Sequence, residues 1–167
     1  FLAAEGSRAV VNGEVVRNDG GNLHYVYGVV ATDLPNAGLV EYALVGGTRP
    51  TDSATGDVGT LVSGGRVGVN FTIGQVTLNN LQVGFDNATY TMSGTASLFG
   101  PVFSTGGTGA AATCSGSACQ PLVAGNFAGF LAGPGGAGLG LDYYFNTRSG
   151  VIEGVAGYRR CAAPGNC

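Results

Sequence analysis

The residues whose spacing could do chemistry are few, and the four cysteines lead them. Cys114 and Cys119 enclose Ser-Gly-Ser-Ala, and Cys161 and Cys167 enclose Ala-Ala-Pro-Gly-Asn. An even count in two local pairs, set in loop-like sequence, reads as two small disulfide loops and so as an oxidising compartment. The rival is a zinc site made by all four. Structural zinc favours two to four residues between ligands, whereas these gaps are four and five and the pairs lie roughly 40 residues apart. Free or intermolecular thiols are the third alternative.

His24 is the single histidine, with Tyr25 beside it and Tyr27 nearby. One histidine permits a Ser-His-Asp triad by count, but no nucleophile-elbow pattern accompanies it. An axial haem role for His24 or Tyr25 is the sharper reading; a residue on an ordinary strand is the plainer one. Asp52 and Asp57 share a Ser-, Thr- and Gly-containing stretch that could hold calcium weakly. Their spacing is not that of an EF-hand, and a solvated turn accounts for them. The remaining acids are scattered singly, so no carboxylate pair for glycoside hydrolysis stands out. Gly133–Gly138 spells G-x-G-x-x-G, yet the dinucleotide motif needs a helix after it. Here Leu139, Leu141, Tyr143 and Phe145 alternate as a strand, so the glycines read as a hairpin loop. Asn70-Phe71-Thr72 and Asn87-Ala88-Thr89 fit the glycosylation sequon. No catalytic residues, metal site or cofactor are expected.

What must position these residues is a set of strands. From Ala88 to Leu98 one face carries Ala88, Tyr90, Met92, Gly94, Ala96 and Leu98, and the other carries threonines and serines. That alternation marks a half-buried strand. Asn-Asp-Gly-Gly, Asp-Asn, Gly-Pro-Gly-Gly and Arg-Ser-Gly stretches separate such runs, as hairpin connections do. Strands are expected over 9–17, 22–32, 38–46, 65–73, 75–85, 88–99, 125–132, 138–146 and 150–159. The apolar phase slips at Asn79-Asn80, where a bulge is expected. Gly47–Gly64 and Pro101–Val123 are expected as long loops. Short strands in sequence order predict an all-β fold, an antiparallel up-and-down barrel of about eight strands plus an extra N-terminal strand. The expected parts are an N-terminal arm over 1–21, the barrel over 22–160 and a C-terminal disulfide loop over 161–167.

Composition narrows the class of function. The 167 residues include 32 glycines, only 10% are charged, and all seven cations are arginine. With 44% apolar residues and a net charge of −3, the chain should fold rather than stay disordered. Such a weakly charged surface favours self-association. No basic patch suits nucleic acid, and no apolar run is long enough for a transmembrane helix. Eight strands of about ten residues would fit an outer-membrane barrel, but a threonine-rich face is a poor lipid face.

Gly125-Asn126-Phe127-Ala128-Gly129-Phe130-Leu131-Ala132-Gly133-Pro134 resembles the G-x-F-x-G-F-x-A-G-P signature of transferrin-binding protein B-like barrels. Leu139–Phe145 and Gly150–Tyr158 stand where that family has an aromatic-ended strand and a closing G-x-x-G-V-x-G strand. Tyr42–Thr51 is similar to the barrel segment appended to some bacterial FecR-type proteins. The resemblance covers roughly 38–160. It implies an eight-stranded barrel, secreted or at the cell surface of a Gram-negative bacterium after signal-peptide removal, with a binding or anchoring role and no catalytic residues.

Two functions are therefore expected. The first is a self-assembling structural or adhesive subunit, partnered by itself through an extra strand carrying Val10, Val11, Val15 and Val16. The alternative is a surface binding module for haem, an iron protein or a small apolar ligand, because an eight-stranded barrel can enclose one small ligand. A host or environmental surface protein is the partner in that case.

Overall fold

The computed structural model describes residues 2–6, 8–11, 14–17, 23–163 and 165–167, with side chains from Leu23 onward apart from Thr108. The strands in chain order are β1 (Leu2–Gly6), β2 (Arg8–Val11), β3 (Glu14–Arg17), β4 (Leu23–Tyr27), β5 (Leu39–Gly47), β6 (Thr51–Asp52), β7 (Thr60–Ser63) and β8 (Arg66–Asn70). They continue as β9 (Gln75–Phe85), β10 (Ala88–Phe99), β11 (Val102–Ser104), β12 (Ala111–Ser115), β13 (Leu122–Ala132), β14 (Gly138–Thr147) and β15 (Val151–Arg160).

The pairings from β5 onward close into a ring. β5 and β6 both pair with β15, β7 and β8 both with β9, and β11 and β12 both with β10. Each of these couples is therefore one wall strand interrupted by an irregular stretch, 48–50, 64–65 or 105–110, the last with a 3-10 turn over Gly106–Thr108. So counted, eight antiparallel walls follow one another in sequence order, and the last, β15, returns to the first, β5. The expected up-and-down barrel is present.

Three expectations need correction. The stretches 47–64 and 101–123 are not long loops: they hold β6 and β7, and β11 and β12, as parts of the wall. Extra residues hide this alternation. Register shifts at Gly157/Tyr158 and at Leu61/Ser63 leave Val45 and Val62 over, 66% and 56% exposed. The strand expected over 22–32 is shorter, Leu23–Tyr27, and pairs with β1 off the ring, which starts at Leu39. The single strand expected over 9–17 is two four-residue strands, β2 and β3, folded on each other with Val10 opposite Val15. Between them the sequence places Asn12-Gly13, the strongest short hairpin signal, which lies outside the described residues. Val10, Val11, Val15 and Val16 thus pair within one hairpin rather than along one free strand.

The phase slip at Asn79-Asn80 is a bulge, as expected: opposite it the register shifts between Met92 and Gly94, and the Asn80 amide donates to Ser93 Oγ at 2.9 Å. β10 alternates in the expected sense, with Ala88, Tyr90, Met92 and Ala96 buried.

The interior is packed solid. Tyr42, Tyr90, Tyr143, Tyr158, Phe127 and Phe145 lie fully inside, with leucines, valines and Met92 between them. Tyr90 and Phe145 meet at 5.8 Å between ring centroids, and Tyr143 and Phe145 at 6.4 Å. Two phenols satisfy irregular backbone from within: Tyr158 donates to the Gly64 carbonyl of the β7–β8 wall at 2.6 Å and Tyr42 to that of Gly136, in the β13–β14 connection, at 2.7 Å. Gly64 also lets the Leu44 side chain close the wall, since a Cβ there would lie 2.6 Å from it. A barrel filled this way is a core, not a container. The space in which such a barrel could enclose a small ligand is taken up by these side chains.

Candidate functional site

Alternation of up and down strands sends every second connection to the same end of the barrel. Residues 53–59, 86–87, 116–121 and 148–150 meet at one mouth; the connections at 71–74, 100–101 and 133–137 meet at the other. The first mouth holds a cavity of about 580 Å³. Asp52, Asp57 and Asp86 line it together with Phe85, Tyr90 and Gln120, so its wall is part carboxylate and part aromatic.

Asp52 anchors the floor. It is only 4% exposed, and a buried carboxylate needs donors on its oxygens. The Ala54 amide donates to Oδ1 at 2.8 Å, a local turn set up by the Asp-x-Ala sequence, and Gln120 Nε2 donates to Oδ2 at 2.5 Å. Gln120 is itself fixed. Its Oε1 accepts from Thr147 Oγ1 at 2.9 Å and from the Ser149 hydroxyl, and its backbone amide donates to Tyr90 Oη at 3.1 Å. Three connections are thus tied through one amide side chain. Cys114 and Cys119 form a disulfide in the connection that carries Gln120, and Cys161 pairs with Cys167 at the other end, as their spacing led one to expect. Two disulfides mark an oxidising, extracytoplasmic setting.

Asp52 and Asp57 do share a site, but among the described residues no group of three or more His, Cys, Asp or Glu side chains is arranged to hold a metal ion. With both Asp52 oxygens engaged, the arrangement offers an electronegative hollow for a cationic or hydrogen-bonding group.

His24 and Tyr25 lie elsewhere, on β4 outside the barrel. His24 Nδ1 is 2.8 Å from Thr48 Oγ1 and Nε2 is 2.7 Å from Thr51 Oγ1, while Tyr25 stacks with Tyr27. Both ring nitrogens are engaged in holding β4 to the wall, whereas an axial haem ligand needs one of them open. The glycines of 133–138 form a single 3-10 turn over Pro134–Gly136 that leads into β14, not into the α-helix a dinucleotide motif needs. Sequence reasoning missed Asp86, Phe85 and Gln120. Each looked like a turn or strand-end residue, and only closure of the barrel brings them to Asp52.

No protein-family model and no curated sequence matches the chain. Solved structures do resemble it. A point mutant of the vaccine antigen transferrin-binding protein B from Haemophilus parasuis Hp5 is similar over 92% of this chain and 32% of its own, at 15% identity and a TM-score of 0.52. The intact Ap-TbpB, with its N and C lobes, is similar over 95% of this chain and 38% of its own, at 13% identity and a TM-score of 0.49. For the isotype 1 transferrin-binding protein B of serogroup B Neisseria meningitidis the figures are 83%, 29%, 17% and 0.41. The chain spans about a third of the length of these structures. At such identity the likeness is one of fold: this chain has a transferrin-binding protein B-like β fold. No helix of the described residues is long and apolar enough to cross a membrane.

Proposed function

We propose that the chain is a non-enzymatic, cell-surface binding module of iron acquisition, acting through protein–protein contacts made at the acidic mouth. The observation that carries this reading is the filled interior beside an open acidic hollow. Nothing can be stored inside the barrel, so recognition falls to its outside, and the hollow lined by Asp52, Asp57 and Asp86 is the built feature there. The fold's likeness to a protein named for binding transferrin supports an iron protein as the partner. A cationic side chain of that partner would enter the hollow, steered by the carboxylates.

Immobilised transferrin is the probe. Binding is expected in the micromolar range, weakening with salt, and falling about tenfold or more in an Asp57→Asn/Asp86→Asn variant. Absence of binding at tens of micromolar sinks the iron-protein assignment, and equal binding by the variant sinks the mouth as its surface.

The second reading is a self-assembling structural or adhesive subunit. Low charge and absent lysine favour it, with the N-terminal residues carrying Val10, Val11, Val15 and Val16 as the joint. Sedimentation of the chain with and without residues 1–20 tests it: a monomer at high concentration in both cases removes the idea.

A further inference from the structure

The end of the barrel opposite the acidic mouth is built from different residues. Its rim carries large apolar side chains held out into solvent on separate elements. Leu39 begins β5 at 54% exposure, Ile73 tips the β8–β9 hairpin at 65%, and Phe99 flanks the β10–β11 turn at 67%. Val102 faces Phe99 across that turn, 47% exposed, and Val29 lies beside the β13–β14 turn, where the Gly133 amide donates to its carbonyl at 2.9 Å. The Ile73 and Phe99 hairpins are tied together, because the Leu98 amide donates to the Gly74 carbonyl at 2.9 Å. They therefore present their apolar tips as one rigid rim.

A pair of cations stands at this end too. β15 finishes here with Arg159 and Arg160, both exposed. Arg160 reaches the Gly135 carbonyl at 3.2 Å, which holds it at the rim. Arg66, paired with Glu41 at 3.5 Å, lies further along the wall, opposite Ala43 and Asn79, and at the rim itself Asp33 accepts from the Gly135 amide. Two arginines thus stand beside one acid, Asp33, at this rim, while at the opposite mouth three aspartates outnumber Arg148. A chain of net charge −3 is polarised along its barrel axis.

We propose that this rim rests on an anionic lipid surface, with Ile73, Phe99 and Val102 entering the headgroup layer and Arg159 and Arg160 at the phosphates. Apolar tips beside arginine are what such an interface selects. Charge complementarity chooses the lipid over an apolar protein face. It also sets the orientation, since the acidic mouth is repelled by the same surface and turned away from it. No hydrophobic span is involved: a few side chains on hairpin tips give shallow, reversible contact.

Flotation of the full 167-residue chain with vesicles tests this. Vesicles of phosphatidylcholine with one-third phosphatidylglycerol are expected to carry the protein up at low salt, and pure phosphatidylcholine vesicles at least tenfold less. Each arginine near an anionic surface strengthens binding about fivefold. Arg159→Ser/Arg160→Ser should therefore lose roughly 20-fold, and Ile73→Ser/Phe99→Ser roughly tenfold or more. Asp57→Asn/Asp86→Asn, at the far mouth, should bind as well as the parent or better. These side chains are exposed, so circular dichroism should show each variant folded; Val102→Thr serves if the apolar pair disturbs the hairpins. No flotation of the parent chain, equal flotation with both lipids, or rim variants that float like the parent overturns the proposal. In the first case the rim belongs to a protein contact.

Discussion

The phenolic oxygen of Tyr143 stands over the α-carbon of Gly154, so near that a Cβ on Gly154 would lie 2.5 Å from it. Tyr143 is fully buried, and its hydroxyl has no hydrogen-bond partner among the described residues. An unsatisfied buried hydroxyl costs about 1–3 kcal/mol. Tyr143→Phe is therefore expected to stabilise the barrel by about 1 kcal/mol in denaturant titration. Gly154→Ala should cost about 1–3 kcal/mol by overpacking, and adding Tyr143→Phe should recover part of that loss. A destabilising Tyr143→Phe would show that the hydroxyl has a partner.

Gln120 is the keystone of the acidic mouth. Gln120→Leu removes the donor to Asp52 Oδ2 and leaves a buried carboxylate short of a partner. A loss of about 2–3 kcal/mol is expected, larger than for exposed polar changes, which stay within about 0.5 kcal/mol. Thermal unfolding of Gln120→Leu beside Asp52→Asn/Gln120→Leu measures it; the double variant should be the less damaged of the two.

The Cys114–Cys119 disulfide closes a short loop just before Gln120. Loop-closure entropy for such a span amounts to about 2 kcal/mol. Cys114→Ser/Cys119→Ser should lose about that much, and hydrogen exchange should show faster opening at 116–121 while β14 and β15 stay protected. Uniform loosening of the whole barrel would contradict this local role.

Asp142 stands on the outer wall, its pKa raised to about 6 by burial first and by the neighbouring Glu153 second. Glu153 is raised too, by burial. A raised acid keeps its proton longer in the folded chain than in the unfolded one. Between about pH 4 and pH 6 the unfolded chain therefore ionises first, and stability falls as pH rises through that window. The Asp142 side chain is exposed to solvent although the strands around it crowd it, so screening removes much of this effect. Melting temperature measured from pH 4 to pH 7 should decline, and Asp142→Asn should flatten the decline; an unchanged slope in the variant removes Asp142 as its cause.

The strands that could be read from sequence are those whose two faces differ along their whole length. β10, with Tyr90 and Met92 inward and threonines outward, is the clearest case, and even the bulge at Asn79-Asn80 left a visible slip in phase. β6 and β7 were hidden because Val45 and Val62 add one residue each, which inverts the alternation within their walls. Glycine-rich 101–123 carries too few large side chains to show a period at all. The acidic mouth was illegible for another reason. Asp52, Asp86 and Gln120 lie on three connections, and no local spacing relates them before the ring closes. His24 was found because it is alone, but its sequence neighbours could not reveal that Thr48 and Thr51 occupy both its nitrogens.

Closure of the ring by β15 on β5 joins residues about 110 positions apart. Local hairpins can form as the chain emerges, yet the loop joining first wall to last is the costliest in entropy and falls last. Until Val151–Arg160 arrive, β14 and β5 are raw sheet edges, the kind that recruit other chains. Biogenesis of this domain is therefore all-or-nothing at the ten residues of its last wall. A chain stopped at Gly150 is not a seven-walled barrel but an aggregation template, and the unfinished chain has to be shielded until its last strand is delivered.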